Sequence, residues 1–155
     1  MAMRYFEDLE VGTVERFGAY PVTREEVIDF ASKYDPQPFH LSDEAAAQTY
    51  FGRLSASGWH TGAMMMAMLV SHMKEGEPLA SLGSPGLDRL EWLKPVYPGD
   101  TLSIESKLID KRRSKNRPEM GITKSETMVL NQHGEAVMRI ISNGLVRVRN
   151  PEADA

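Results

Sequence analysis

The sequence predicts an α+β domain in which an antiparallel sheet wraps a long helix. Three observations carry this. The stretch "WHTGAMMMAMLVSHMK", Trp59–Lys74, is apolar on all sides, and a helix apolar all round is buried all round. The second half of the chain alternates apolar and polar residues with the period of strands. Helix signals come early and strand signals late, the order of an α+β domain.

Taken along the chain, "TVERFGAYPV" from Thr13 reads as an edge strand. "TREE", Thr23–Glu26, reads as a capping box, with Thr23 as cap and Glu26 reaching back. Val27, Phe30, Ala31 and Tyr34 then mark one face of a short helix that stops at Asp35-Pro36. Ser42 caps a second helix, with Asp43 and Glu44 in its first turn and Ala45 to Tyr50 continuing it. "FGRLSASG" from Phe51 is a loop, and the apolar helix follows. "LEWLKPVYPGDTL" ends one strand at Lys94-Pro95 and opens the next after Pro98-Gly99-Asp100. Leu102, Ile104, Ser106 and Leu108 alternate along that strand. Ile122, Lys124, Glu126, Met128 and Leu130 alternate along another, with Thr123, Thr127 and Val129 on its other face. "NQHGE", Asn131–Glu135, is a hairpin turn, and Ala136 to Val148 is the returning strand.

A chain of 155 residues fits one domain, expected over 1–150, with 151–155 as a frayed tail. The net charge of −4 argues against a general nucleic-acid binder. The absence of cysteine excludes disulfides, thiolate metal sites and cysteine nucleophiles, and is compatible with a reducing cytoplasm, where the chain is expected. No signal pattern opens the sequence, and the apolar run Gly62–Val70 is too short to span a membrane. His60, His72 and His133 show no metal-binding spacing, so no metal is expected; His60 reads as a structural or pocket-lining residue.

The chemistry concentrates in "YDPQPFHLS", Tyr34–Ser42. Pro36 and Pro38 prevent a regular helix and stiffen the chain between Asp35 and His40. Alone, these are a helix-ending turn residue and a loop histidine. "YDPQPFHLSDEAA" nevertheless resembles the signature of MaoC-like dehydratases and R-specific enoyl-CoA hydratases, which have the hotdog fold. Asp35, Pro38 and His40 match, and Ala46 fits the small position. "SGWHTG", Ser57–Gly62, and "KPVYPGDTL", Lys94–Leu102, match further pieces in order, so the resemblance spans roughly Phe6 to Arg149. Tyr34, Gln37 and Phe39 depart from the pattern, and Met64–Met66 stand where some relatives carry a serine.

The resemblance implies reversible addition of water to a 2-enoyl thioester, with coenzyme A favoured over acyl carrier protein as the handle and no metal or redox cofactor. It implies Asp35 and His40 as the proton-transfer pair. The Gly58 N–H, at the start of the long helix, becomes the donor to the thioester oxygen, with Ser57, Trp59 and Gln37 as further substrate-binding candidates. Arg112, Arg113 and Lys115, in "DKRRSKNRPEMG", are candidates for the coenzyme A phosphates, and otherwise belong to a solvated hairpin. A homodimer or dimer of dimers is expected. A thioesterase on the same fold and a non-catalytic acyl-thioester binding protein are the alternatives.

Overall fold

The computed structural model describes residues 2–153. Strand β1 (Val14–Pro21) leads into helix α1 (Arg24–Tyr34), the short helix α2 (Asp43–Ala47) and the long helix α3 (Gly58–Glu75). Strands β2 (Ser81–Trp92), β3 (Thr101–Arg113), β4 (Met120–Leu130) and β5 (Ala136–Arg147) complete the chain. All five strands form one antiparallel sheet in the order β1-β3-β4-β5-β2. Among the described residues no helix is long and apolar enough to cross a membrane.

Helix α3 spans about 27 Å and packs Met64, Met65 and Met68 into the core with Leu102, Ile104, Val129 and Ile140 of the sheet. Its extent matches the expectation to within one residue at each end, but its burial does not. Trp59, Met66 and Met73 are 60%, 51% and 51% exposed. One sheet covers one side of a helix, so a single chain leaves the opposite side open.

Three further details differ from the sequence reading. Thr23 caps α1 by accepting from the Glu26 amide at 3.2 Å, but the Glu26 carboxylate does not reach back, because Tyr20 and His60 hold it. Helix α2 ends at Ala47 rather than Tyr50. Strand β2 begins at Ser81, well before any regular alternation, and its Gly83, Pro85 and Gly86 are accommodated by register shifts on a sheet edge. On β4 the buried face carries Thr123, Thr127 and Val129. Of the expected tail, residues 154–155 lie outside the described residues. Arg113 holds Pro151 and Ala153 through their carbonyl oxygens at 3.0 and 2.6 Å.

The segment between α1 and α3 hangs from the loop that precedes β3. Val22 and Ala56 donate their amides to Asp100 and Val96, at 2.9 and 2.8 Å. The Tyr97 hydroxyl donates to the Phe51 carbonyl at 2.7 Å. Strand β1 crosses α3 closely at Gly18. There Phe17 pairs with Ile104 and Tyr20 with Leu102, so β1 carries one extra residue, a bulge that bends the strand and re-aims its side chains. Gly18 sits at φ +88°, and a Cβ there would lie 2.6 Å from Met68 Sδ. Gly18→Ala is expected to cost at least about 1 kcal/mol, read as a lower urea midpoint with an unchanged slope.

Candidate active site

Asp35 terminates α1. Its amide still donates to Ala31 at 2.9 Å, but its backbone has left the helical region, as the following proline requires. Pro38 then opens a single 3-10 turn, Pro38–His40. This turn brings His40 Nε2 to 3.5 Å from Asp35 Oδ2. The pair is therefore set by a local, proline-stiffened stretch of backbone.

Each member of the pair has its own brace. His40 is 5% exposed, and its Nδ1 lies 2.7 Å from the Ser55 carbonyl. A carbonyl only accepts, so Nδ1 carries a proton there, and Nε2 is the ring nitrogen turned toward Asp35. The Ser57 hydroxyl donates to Asp35 Oδ2 at 2.7 Å, and the Gln37 amide donates to Asp35 Oδ1 at 2.6 Å. Burial by itself would raise the Asp35 carboxyl. The Ser57 and Gln37 hydrogen bonds and the nearby His40 outweigh it and hold the group below the usual carboxylate range. Asp35 is thus an ionised acceptor facing the Nε2 edge of His40, an acid and a base side by side within reach of one water.

Ser57 also caps α3, its oxygen accepting from the Trp59 amide at 3.2 Å. That engagement removes the Trp59 N–H as a donor to substrate. The Gly58 amide, first in the helix, has no acceptor among the described residues and lies at the positive end of the helix dipole. The Trp92 indole donates to the Gly58 carbonyl at 2.9 Å, and a Cβ on Gly58 would come within 2.4 Å of that ring. Glycine is required here for the close approach. Trp59 itself is exposed and meets Trp92 edge to face.

The structure thus brings Asp35, His40, Gln37, Ser57 and Gly58 together. It places Arg112, Arg113 and Lys115 elsewhere. The site hangs from the Thr101 end of β3, whereas Arg112 pairs with Ile122 at the other end, roughly 30 Å away by strand rise. Arg113 is engaged by the carbonyls of Pro118, Pro151 and Ala153. Arg112 and Lys115 line a groove of about 440 Å³.

Several partners were not legible in advance. The Ser55 carbonyl is backbone and leaves no mark in a sequence. Glu26 reads as a cap, yet its Oε1 accepts from the Tyr20 hydroxyl at 2.6 Å and lies 3.0 Å from His60 Nε2. The Tyr20 bond is the main cause of the lowered Glu26 carboxyl, and the same bond, with burial, pushes the Tyr20 phenol up to about 12. His60 is buried, stacks on Phe30, and keeps Nδ1 without a partner among the described residues, as does Ser55 Oγ.

Because the folded Asp35 carboxyl lies below its unfolded value, its stabilising contribution is complete above about pH 4 and is lost as pH falls through the folded pKa. Ser57→Ala removes one lowering bond. Titration of the Asp35 carboxyl carbon by NMR is expected to show a higher pKa in that variant. The lost cap is expected to cost about 1 kcal/mol in denaturant unfolding.

A family model described as a MaoC like domain matches residues 9–129. The chain is 30% identical over 138 residues to a 3-hydroxybutyryl-CoA dehydratase of Methylorubrum extorquens, covering 88% of this chain and 83% of that protein. Among solved structures it resembles a MaoC-like dehydratase from Rhodospirillum rubrum, with 40% identity, a TM-score of 0.86, and 94% and 98% of the two chains covered. The R-hydratase PhaJ1 of Pseudomonas aeruginosa shares the fold at 22% identity and a TM-score of 0.68, over 97% and 94% of the chains. The sheet folded over one long helix is a hotdog fold, and the chain belongs to the MaoC-like dehydratase family.

Proposed function

We propose that the protein reversibly adds water to a 2-enoyl-CoA, giving a 3-hydroxyacyl-CoA. The observation that carries this is the His40 imidazole, whose Nδ1 proton is fixed on Ser55 so that Nε2 faces the Asp35 carboxylate across 3.5 Å. A water seated to one side of the pair, within reach of both, donates one proton to each acceptor and turns a lone pair toward the substrate β-carbon. The low-lying Asp35 carboxyl is the poorer proton acceptor, so His40 Nε2 takes the proton as the C–O bond forms. Asp35 then faces an imidazolium as its counter-charge. The electrons of the carbon–carbon double bond move onto the α-carbon and the thioester oxygen, where the Gly58 N–H meets the developing charge. His40 returns its proton to the α-carbon. Dehydration runs the same steps backward.

In this reading Gln37 and Ser57 brace Asp35, and Trp59 presents its indole rather than its amide. The supports are the geometry of the pair, the family, and the similarity to a protein named for 3-hydroxybutyryl-CoA dehydration.

The active form is read as a homodimer. Met66, Val70 and Met73 of α3 and Leu82, Leu87 and Trp92 of β2 are apolar side chains left exposed, and β2 is an unpaired edge of the sheet. A second copy is the occupant whose own matching face is equally in need of cover. A role for Arg112 and Lys115 toward coenzyme A requires that second copy, since they stand far from their own chain's site.

Crotonyl-CoA is expected to lose its enoyl absorbance without release of free thiol. Thiol release would instead identify a thioesterase, and tight binding without turnover a carrier. Asp35→Asn and His40→Ala are each expected to lower kcat about 10²–10⁴-fold while leaving the fold intact by circular dichroism. In sedimentation equilibrium the protein is expected at twice its chain mass, and Val70→Asp combined with Leu87→Asp at the chain mass.

A further inference from the structure

A groove follows one side of α3 away from Asp35. Ala63, Met64, Ala67 and Met68, spaced three and four apart, form a single stripe along the helix. Nearest the site, a cavity of about 180 Å³ lies between α1 and α3, floored by Ala63 and Met64, walled by Phe30, Tyr34 and His60, and rimmed by Glu26, Asp29 and Lys33. It lies next to the site along both helices: Tyr34 precedes Asp35, and His60 stands about one turn beyond Ser57. Farther along, a groove of about 390 Å³ lies between β1 and α3, over Ala67 and Met68. Tyr20 is the one residue that lines both.

Tyr20 is also held in place. The bulge at Gly18 aims it over α3, and its hydroxyl is bonded to the Glu26 carboxylate that His60 shares. With the phenol pushed up to about 12, Tyr20 remains a neutral donor at any working pH, so the tie persists. A ring fixed by a hydrogen bond where two spaces with apolar floors and polar rims meet is a partition. We propose that Tyr20 is the gate of an acyl channel along α3, closing the near cavity against the distal groove and so setting the acyl length accepted. This rests on the thioester reading above.

The near cavity follows α3 from His60 to Met64, about 6 Å of helix, and the distal groove adds about 12 Å from Ala67 to Glu75. The wild-type gate admits short acyl groups. Without it the channel continues over Ala67, which leaves room, and Met68, which adapts to a flexible chain, and ends at the polar Ser71, His72 and Glu75. Tyr20 touches no reacting atom in this scheme and acts on specificity.

The test compares hydration of crotonyl-CoA and dodecenoyl-CoA by the full-length protein. Tyr20→Ala is expected to raise the dodecenoyl to crotonyl ratio of kcat/KM at least tenfold, mainly through a lower KM for the long substrate. Ala67→Trp added to it refills the groove and is expected to return the ratio to the wild-type value. An unchanged ratio in a Tyr20→Ala protein that still hydrates crotonyl-CoA overturns the gate, and so does a raised ratio that Ala67→Trp does not reverse. If Tyr20→Ala does not fold, Tyr20→Leu keeps apolar bulk while removing ring and hydroxyl, and is judged by the same ratio. Wild-type protein that hydrates neither substrate overturns the thioester reading itself, a result separate from any change in the ratio.

Discussion

The hydrogen bond from the Ser57 hydroxyl to Asp35 joins the two halves of the site, and the remaining geometry depends on it. Asp35 and His40 belong to the segment between α1 and α2, while the Gly58 amide belongs to α3. Chemistry on a thioester needs both at fixed separation, because errors of about 1 Å cost on the order of 10²-fold. Ser57 supplies that separation with a single oxygen. It donates to the carboxylate, and it accepts from the Trp59 amide as the cap of α3. The anion is thereby tied to the helix terminus whose partial positive charge faces the reaction. Behind it, the Trp92 indole leans on the Gly58 carbonyl, so the sheet edge supports the same turn.

The hydrogen bonds around Asp35 explain why so polar a pair is tolerated in a mostly buried place. Both carboxylate oxygens have donors, and His40 has a carbonyl for its proton-bearing nitrogen. Buried polar groups are stable when each is matched. What remains open is the Nε2 edge of His40 and the space beside it.

Much of this was legible in the sequence because its signals are local. Proline at 36 and 38 announces a stiff turn, an acid and a base flank it, and an all-apolar helix demands a cover. The less legible features depend on partners distant along the chain. Glu26 looks like a capping residue until β1 delivers Tyr20 and α3 delivers His60 to it. Gln37 looks like a substrate contact until its amide is seen on Asp35. The exposed side of α3 reads as core because hydropathy reports that a residue needs cover, not which chain supplies it. The end of strand β2 was legible before Lys94-Pro95, but its first half was hidden by Gly83, Pro85 and Gly86, which a sheet edge tolerates and a sheet interior does not.

Arg113 offers a last consequence. Its guanidinium is occupied by carbonyl oxygens, two of them from Pro151 and Ala153. These oxygens screen a cation without neutralising it, so the hairpin presents Arg112 and Lys115 as its freer charges. Without Pro151 and Ala153, Arg113 would keep only the Pro118 carbonyl. Those two carbonyl dipoles therefore temper the positive potential beside the hairpin, and with it how steeply added salt weakens the hold on any visiting anion.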